Sequence, residues 1–153
     1  MIGRINIQVF LFIRKPKFMV LLLKRVAERR GYWQPISGGI EKGEKPINAI
    51  KQEIYEETGF KEFIRIINLD YNFIFETIWH GKLTKMKQIC YAAEIEKLKK
   101  IRLSKEHEQY KWCTEVEAKS FLKWEYNLIA LNKLINFLKL ESEESGQLKK
   151  LIN

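Results

Sequence analysis

The chain has 153 residues, of which 46% are hydrophobic and 31% charged, and its formal net charge is +9. This length and composition fit one globular domain with a buried core, and they exclude a membrane-spanning chain, because no apolar run is long enough to cross a bilayer. The positive charge favours anionic partners, but lysines and arginines are scattered without a compact basic arm, so charge alone does not indicate nucleic-acid binding.

The N-terminal segment resembles a signal peptide only superficially. Arg14, Lys15 and Lys17 interrupt its apolar stretches, and no small-residue cleavage site follows. Cys90 and Cys113 lie far apart and outside any CxxC pattern, so we expect both to be reduced, buried side chains. We therefore predict a cytoplasmic location.

The first half of the chain contains two strand patterns and a loop. Ile5–Ile13 and Phe18–Lys24 are rich in β-forming residues and are separated by a Lys-Pro-Lys turn, which predicts a hairpin. Gly31–Glu44 is rich in glycine, and we expect it to be a loop.

A helix is predicted over residues 46–58. Pro46 suits the first turn, where its missing N–H has little effect, and Gly59 suits the position just past the end. Three isoleucines at helical spacing are expected to point into the core: Ile47, Ile50 and Ile54.

More strands follow this helix. Phe63–Trp79 alternates enough for one long strand or two, residues 80–82 favour a turn, and Met86–Ile95 predicts a further strand. Tyr110–Cys113 is consistent with a short strand.

Two helices complete the chain. Thr114 and Glu117 form a capping-box pattern for a short helix ending near Leu122. Apolar residues at helical spacing then predict a long C-terminal helix with one buried face: Leu128, Leu131, Ile135 and Leu138. We expect residues 1–140 to form one domain and residues 141–153 a polar tail. Strands and helices in this order predict a single α/β (α+β) domain, with helices packed on a mixed sheet.

Three carboxylates crowd the predicted first helix. Glu53, Glu56 and Glu57 lie three and four residues apart, where like charges repel unless a cation lies between them. A solvated acidic face paired with surface lysines is one interpretation. A site for Mg²⁺ or Mn²⁺, hard cations that prefer carboxylate oxygens, is the other.

The surrounding residues resemble the Nudix box. Its pattern is glycine, five residues, glutamate, seven residues, then arginine–glutamate–aliphatic–x–glutamate–glutamate–x–glycine–aliphatic. The match spans 23 residues. These residues occupy its fixed positions: Gly38, Glu44, Glu53, Ile54, Glu56, Glu57, Gly59 and Phe60. The motif arginine is replaced by Gln52, which can donate hydrogen bonds but carries no charge; Lys51 could compensate in part. Phe60 in place of an aliphatic residue is a mild departure.

The resemblance implies a Nudix-type α/β/α sandwich whose loop–helix–loop holds a divalent metal on a diphosphate. It implies that Glu53, Glu56 and Glu57 are catalytic metal ligands. A backbone carbonyl near Ser37 or Gly38 would join them, while Gly38 and Gly39 let the chain approach closely. Three further positions would be structural parts of the motif: Glu44, Gln52 and Gly59.

The flanks resemble one subgroup of this family, the dihydroneopterin triphosphate pyrophosphatases, also described as dATP pyrophosphohydrolases. Trp33-Gln34 precedes the box, and Glu106-His107 is followed after four residues by a tryptophan. The resemblance implies that Glu106 completes the metal shell or is the general base; a box glutamate is the alternative base. His107 would contact phosphate, orient Glu106 or have a purely structural role.

Candidate substrate contacts follow from the same resemblance. Arg4 and Arg25 would meet phosphates, since a guanidinium binds phosphate oxygens with two parallel hydrogen bonds. Trp33 would stack on a pterin or purine, or cover the sheet as part of the core. We expect Trp112 and Trp124 to be core residues.

The leading hypothesis is therefore a Mg²⁺-dependent pyrophosphohydrolase, with Mn²⁺ possible. It would cleave a nucleoside or pterin triphosphate, dihydroneopterin triphosphate or a (d)NTP, to the monophosphate and pyrophosphate. Alternatives are a Nudix hydrolase of a dinucleoside polyphosphate or an RNA 5′ end, and a non-catalytic nucleotide-sensing domain, which Gln52 favours. We expect a small-molecule triphosphate as the partner, with no membrane, no nucleic acid, and a monomer or homodimer.

Overall fold

A computed structural model describes the backbone of residues 1–26 and 31–152, and the side chains of this range up to residue 146. The strands are β1 Arg4–Ile13, β2 Met19–Arg25, β3 Trp33–Gln34, β4 Ile36–Gly39, β5 Arg65–Trp79, β6 Lys82–Glu94 and β7 His107–Cys113. The helices are α1 Pro46–Thr58, α2 Glu115–Phe121 and α3 Glu125–Ile152.

The described strands form one mixed, seven-stranded sheet. Its main order is β3-β2-β1-β6-β5, with β4 paired to β1 and β7 paired to β2. β1 and β6 are parallel, whereas the other pairs are antiparallel. The predicted hairpin of β1 and β2 is confirmed.

Helices cover both faces of this sheet, because the central strands are apolar on both faces. Along β1, Ile7 and Val9 belong to the core cluster under α1, whereas Phe10 and Phe12 belong to the cluster under α2 and α3. Alternate strand residues point to opposite faces, so one strand supplies both cores. The predicted α/β/α sandwich with a mixed sheet is confirmed. Both cysteines are free and buried, as expected.

The predicted helix ends are also confirmed. α1 begins at Pro46 and ends at Thr58, and Gly59 follows in the left-handed region with φ 86°. Its N–H donates to the Tyr55 carbonyl, which satisfies one of the last carbonyls of the helix. The capping box of Thr114 and Glu117 opens α2.

Two local predictions are wrong. Ile47 is 46% exposed, because only Ile50 and Ile54 of the three isoleucines lie on the side of α1 that meets the sheet. The segment expected to be a loop contains β3 and β4, and the Gly38 and Gly39 end of β4 pairs with β1. Long-range backbone pairing with β1 overrides the local glycine signal here.

The C-terminal helix runs past the expected start of the tail. α3 continues to Ile152, and the Arg65 guanidinium donates to both carboxylate oxygens of Glu141 at 2.6 and 2.7 Å. Residue 141 is therefore still tied to β5, while the division of the chain at residue 140 stays a prediction. Among the described residues, no helix combines the length and apolar character needed to span a membrane.

Candidate metal and nucleotide site

The carboxylates of α1 lie against the glycine end of β4. An added Cβ at Gly38 would overlap the Glu53 carboxyl group, so any other residue at this position would displace the carboxylate from the strand. Ile50 and Ile54 hold the helix against the sheet from behind. The sequence positions the acids by helical spacing, and the sheet positions the helix.

Glu53 is the most strongly perturbed of these acids. Burial raises its pKa to about 7, with further contributions from the negative charges of Glu56, Glu57, Glu106 and Glu44. Such surroundings disfavour the charged form of a carboxylate unless a nearby cation compensates its negative charge. Glu106 thus lies near enough to act electrostatically on α1, although some 50 residues separate the two in sequence.

Glu57 has the opposite environment. It is only 4% exposed, and its Oε2 accepts from Ser104 Oγ at 2.7 Å and faces His107 Nδ1 at 2.6 Å. Burial alone raises the pKa of Glu57, but the hydrogen bonds from His107 and Ser104 and the charge of Arg25 hold it below its usual range. Glu57 is therefore a fixed, ionised carboxylate.

His107 connects the box helix to the strand before the box. Its Nε2 lies 3.1 Å from Gln34 Nε2 and its Nδ1 lies 2.6 Å from Glu57 Oε2; in the tautomer with the proton on Nδ1, the ring accepts from Gln34 and donates to Glu57. The motif pairs Trp-Gln and Glu-His, distant in sequence, thus meet through His107. His107 is thus a buried side chain with a hydrogen-bond partner at each ring nitrogen.

The other motif residues make local contacts. Gln52 Nε2 donates to Glu56 Oε1 at 2.9 Å, so an uncharged residue orients this carboxylate from one turn away. Glu44 Oε1 accepts from the Glu41 backbone N–H at 3.0 Å, which closes the turn before α1. The exposed Glu106 precedes β7, and its carbonyl accepts from Val26.

The donor set fits a hard divalent cation by its chemistry. Burial first, and then the negative charges of Glu56, Glu57 and Glu106, raise the pKa of Glu53, which places these four carboxylates near one another. Carboxylate oxygens are the donors that Mg²⁺ and Mn²⁺ prefer. In the described part of the chain, no three acidic, histidine or cysteine side chains already converge in metal-binding geometry, and Glu56 and Glu57 face protein partners instead.

A cleft of about 220 Å³ opens on the α3 face of the sheet, next to β4. We call it the aromatic cleft. Its aromatic wall consists of Tyr32, Phe73, Phe75, Trp124 and Tyr126. Tyr126 stacks on Phe73 with ring centroids 4.1 Å apart, and Trp124 lies parallel to Tyr126 at 6.0 Å. Its amide-bearing residues are Asn6, Gln8, Gln34, Gln88 and Asn127.

Arg25 lies between the aromatic cleft and the acids. It lines the cleft, its guanidinium lies 5.9 Å from the Tyr32 ring, and it pairs across the strands with His107. Arg4 is placed differently: it lies beside Gly39, its Nε donates to Asn6, and its guanidinium lies 4.7 Å from the Trp79 ring.

Of the tryptophans considered, Trp124 is placed differently from the expectation, whereas Trp112 packs against the core as expected. Trp33 packs against Phe121 with centroids 5.4 Å apart and belongs to the core under α2 and α3. Trp124, expected in the core, lines the aromatic cleft. The alternation of aromatics in β5 was a usable signal for Phe73 and Phe75, but their meeting with Tyr126 requires the packing of α3 on the sheet.

Comparison with known proteins agrees with this arrangement. The family model of the NUDIX domain matches residues 4–131, which is most of the chain. The acidic residues of α1 and all of the residues that line the aromatic cleft lie inside this match.

Two curated relatives share part of this region. An octanoyltransferase of Myxococcus xanthus is 32% identical over 99 residues, 65% of this chain and 27% of that protein. An RNA pyrophosphohydrolase of Pelagibacter ubique is 32% identical over 76 residues, 45% of this chain and 48% of that protein. The matched stretches thus span between about a quarter and a half of these relatives.

A solved structure covers nearly the whole chain. The dihydroneopterin triphosphate pyrophosphohydrolase of E. coli superposes with a TM-score of 0.73 and 21% identity, over 87% of this chain and 97% of that one. At this identity the likeness establishes the fold and nothing beyond it.

Proposed function

The chain belongs to the NUDIX family, and from this we propose that it is a Mg²⁺- or Mn²⁺-dependent pyrophosphohydrolase of heterocyclic triphosphates. The proposed substrate is dihydroneopterin triphosphate or a (d)NTP, and the products are the monophosphate and pyrophosphate. The observation that supports this most is that Arg25 and strand β4 border both the acids on α1 and the aromatic cleft.

In this proposal the carboxylates of Glu53, Glu56, Glu57 and Glu106, with a backbone carbonyl at Ser37 or Gly38, hold the metal. A bound divalent cation neutralises phosphate charge and makes a coordinated water more acidic. Arg25, and Arg4 beyond Gly39, bind phosphate oxygens. Glu53 or Glu106 takes the proton of the attacking water as the anhydride bond breaks and pyrophosphate leaves.

The size of the aromatic cleft supports a single ring system as its occupant. About 220 Å³ is less than the roughly 300–1,000 Å³ of clefts that enclose drug-sized ligands. Flat heterocycles pack well on aromatic faces. Stacking by Trp33, a cytoplasmic location and a monomeric or homodimeric state stay predictions.

The test is pyrophosphate release from a panel of triphosphates that includes dihydroneopterin triphosphate, with and without Mg²⁺. We expect metal-dependent release that is lost in Glu57→Gln and retained in Glu62→Gln, a control on an exposed carboxylate. Nucleotide binding without turnover across the whole panel would indicate a sensing domain instead.

A second candidate function is hydrolysis at an RNA 5′ end. The similarity to the RNA pyrophosphohydrolase of Pelagibacter ubique and the net charge of +9 favour it. Adding 5′-triphosphorylated RNA to the same panel separates the two candidates by their relative kcat/KM.

A further inference from the structure

Two buried glutamines, placed diagonally across neighbouring strands, line the aromatic cleft. Gln8 is 2% and Gln88 is 6% exposed, and both line the cleft. They lie on the adjacent parallel strands β1 and β6, where Gln88 is the cross-strand neighbour of Asn6 and of Phe73. Amides this deeply buried in a sheet are normally fully hydrogen-bonded.

Each amide has one end fixed by a protein partner. Asn127 Nδ2 donates to Gln8 Oε1 at 2.8 Å, so the Gln8 NH₂ group is directed away from Asn127. Gln88 Nε2 donates to Ser37 Oγ at 3.0 Å, so the Gln88 carbonyl oxygen is the remaining end. With the amides oriented in this way, the NH₂ group of Gln8 and the carbonyl oxygen of Gln88 are the ends without an anchoring bond.

These remaining ends have no partner among the residues that the structure describes. Gln8 Nε2 and Gln88 Oε1 are both buried without a hydrogen bond. A buried donor or acceptor without a partner is destabilising, so a cleft that keeps one of each is suited to a ligand that pairs both. The Arg25 Nε is a third such atom, at the side of the cleft that leads to Glu57.

We propose that Gln8 and Gln88 determine substrate specificity by recognising one edge of the heterocycle. The Gln8 NH₂ donates to a ring acceptor, and the Gln88 carbonyl accepts from the neighbouring N–H. The ring packs against the aromatic wall, and its phosphates extend past Arg25 to the acids. The substrate class is a flat heterocycle with adjacent acceptor and N–H groups, as in the lactam of guanine and pterin or the amidine of adenine. This inference rests on the proposed function.

Methylated nucleotides test the ligand side of this pairing. N1-methyl-GTP lacks the N–H of the lactam, and N6,N6-dimethyl-ATP lacks the N–H of the amidine. With whichever parent nucleotide the protein prefers, we expect kcat/KM to fall about 10- to 100-fold on methylation, which corresponds to one lost buried hydrogen bond. Equal kcat/KM for parent and methylated nucleotide overturns the proposal.

Matched variants test the protein side. Gln8→Glu keeps an acceptor for Asn127 but replaces the donor of the cleft with an acceptor, whereas Gln88→Glu keeps an acceptor in the cleft. Both add the same charge, so we expect a large loss of affinity in Gln8→Glu and a much smaller one in Gln88→Glu. In Gln88→Met, which removes the acceptor, the preference for the parent over the methylated nucleotide should disappear. Equal losses in the two Glu variants overturn the proposal.

Binding of the nucleoside monophosphate, measured by calorimetry or tryptophan fluorescence, separates this inference from the proposed function. If no triphosphate is hydrolysed but GMP or AMP binds with the expected dependence on Gln8 and Gln88, the hydrolase assignment fails and the inference stands. If triphosphates are hydrolysed without this dependence, the inference fails alone. If no nucleotide binds, the inference about Gln8 and Gln88 fails as well. Thermal unfolding of each variant verifies that the fold is retained.

Discussion

Glu53 and Glu57 are one helical turn apart, yet their surroundings shift their pKa values in opposite directions. Glu53 borders the other carboxylates, so burial and repulsion raise its pKa to about 7. Glu57 is held below its usual range by His107, Ser104 and Arg25. Two carboxylates whose pKa values differ in this way can take different roles. One can gain and lose a proton near neutral pH, while the other stays charged.

The first prediction concerns His107 as a positioning residue. Asparagine at this position places its amide near the former Nδ1 and can still donate to Glu57, whereas glutamine reaches toward Gln34 and cannot. We therefore expect His107→Gln to lose about 1–3 kcal/mol of unfolding free energy and most of the Mg²⁺-induced rise in Tm, because a buried carboxylate is left unpaired.

His107→Asn is the matched variant and should retain more of both properties. The measurements are urea unfolding without metal and Tm as a function of Mg²⁺ concentration. If the two variants behave alike, the hydrogen bond to Glu57 is not what His107 contributes.

At the scale of elements, α1 is held to the sheet by a narrow apolar stripe. Ile50 and Ile54 are fully buried, whereas Ile47 is nearly half exposed. The helix therefore depends on its second and third turns, which are the turns that carry Glu53, Glu56 and Glu57. Packing and the acid cluster share the same part of the helix.

The second prediction compares two isoleucines of α1. Ile54→Ala should destabilise the protein by about 2–5 kcal/mol, the usual cost of truncating a buried isoleucine. Ile47→Ala should change stability by only about 0.5 kcal/mol, because the side chain is largely in solvent. Urea unfolding measures both, and a comparable loss in Ile47→Ala would contradict the exposed position of this residue.

The third prediction concerns the end of α3. Removing residues 141–153 should leave a cooperatively folding domain with a slightly lower Tm, because the half-exposed pair of Arg65 and Glu141 is worth about 0–1 kcal/mol. Glu141→Gln in the full chain is the control and should account for most of the loss. A truncated chain without a cooperative transition would place this segment in the domain.

At the scale of the molecule, the acids lie on one side of the sheet and the aromatic cleft on the other. Ser37 and Gly38 are adjacent in β4, yet Ser37 bonds to Gln88 of the cleft and Gly38 abuts Glu53 of α1. Alternate residues of a strand point to opposite faces, so two residues of β4 border both parts of the site.

The fourth prediction links pH to stability through Glu53. Its pKa is raised from 4.5 to about 7, so the folded state binds more protons than the unfolded state between these values. The resulting stabilisation is complete below about 4.5 and is lost as pH rises through about 7. Without metal, the Tm of the wild type should therefore fall more between pH 5 and 8 than that of Glu53→Gln.

Glu62→Gln is the control for this comparison, because it removes an exposed carboxylate outside the cluster. Added Mg²⁺ should raise the wild-type Tm more at pH 8 than at pH 5, since protons compete with the metal for carboxylate oxygens. Parallel pH profiles of the wild type and Glu53→Gln would contradict the uncompensated charge at Glu53.

The α/β/α sandwich was expected from the resemblance to the Nudix box. The residue patterns themselves indicated a mixed sheet with helices packed on it, both ends of α1 and the spacing of Glu53, Glu56 and Glu57. These features depend on local signals: periodicity, Pro46, Gly59 and the capping box. The tertiary structure alone decided that Ile47 faces solvent, that Gly38 and Gly39 lie in a strand, and that His107 reaches Glu57. It also assembled the aromatic cleft, because Gln8, Gln88 and Asn127 meet only when β1, β6 and α3 pack together. Contacts between residues this distant depend on strand register and helix docking, which no local pattern encodes.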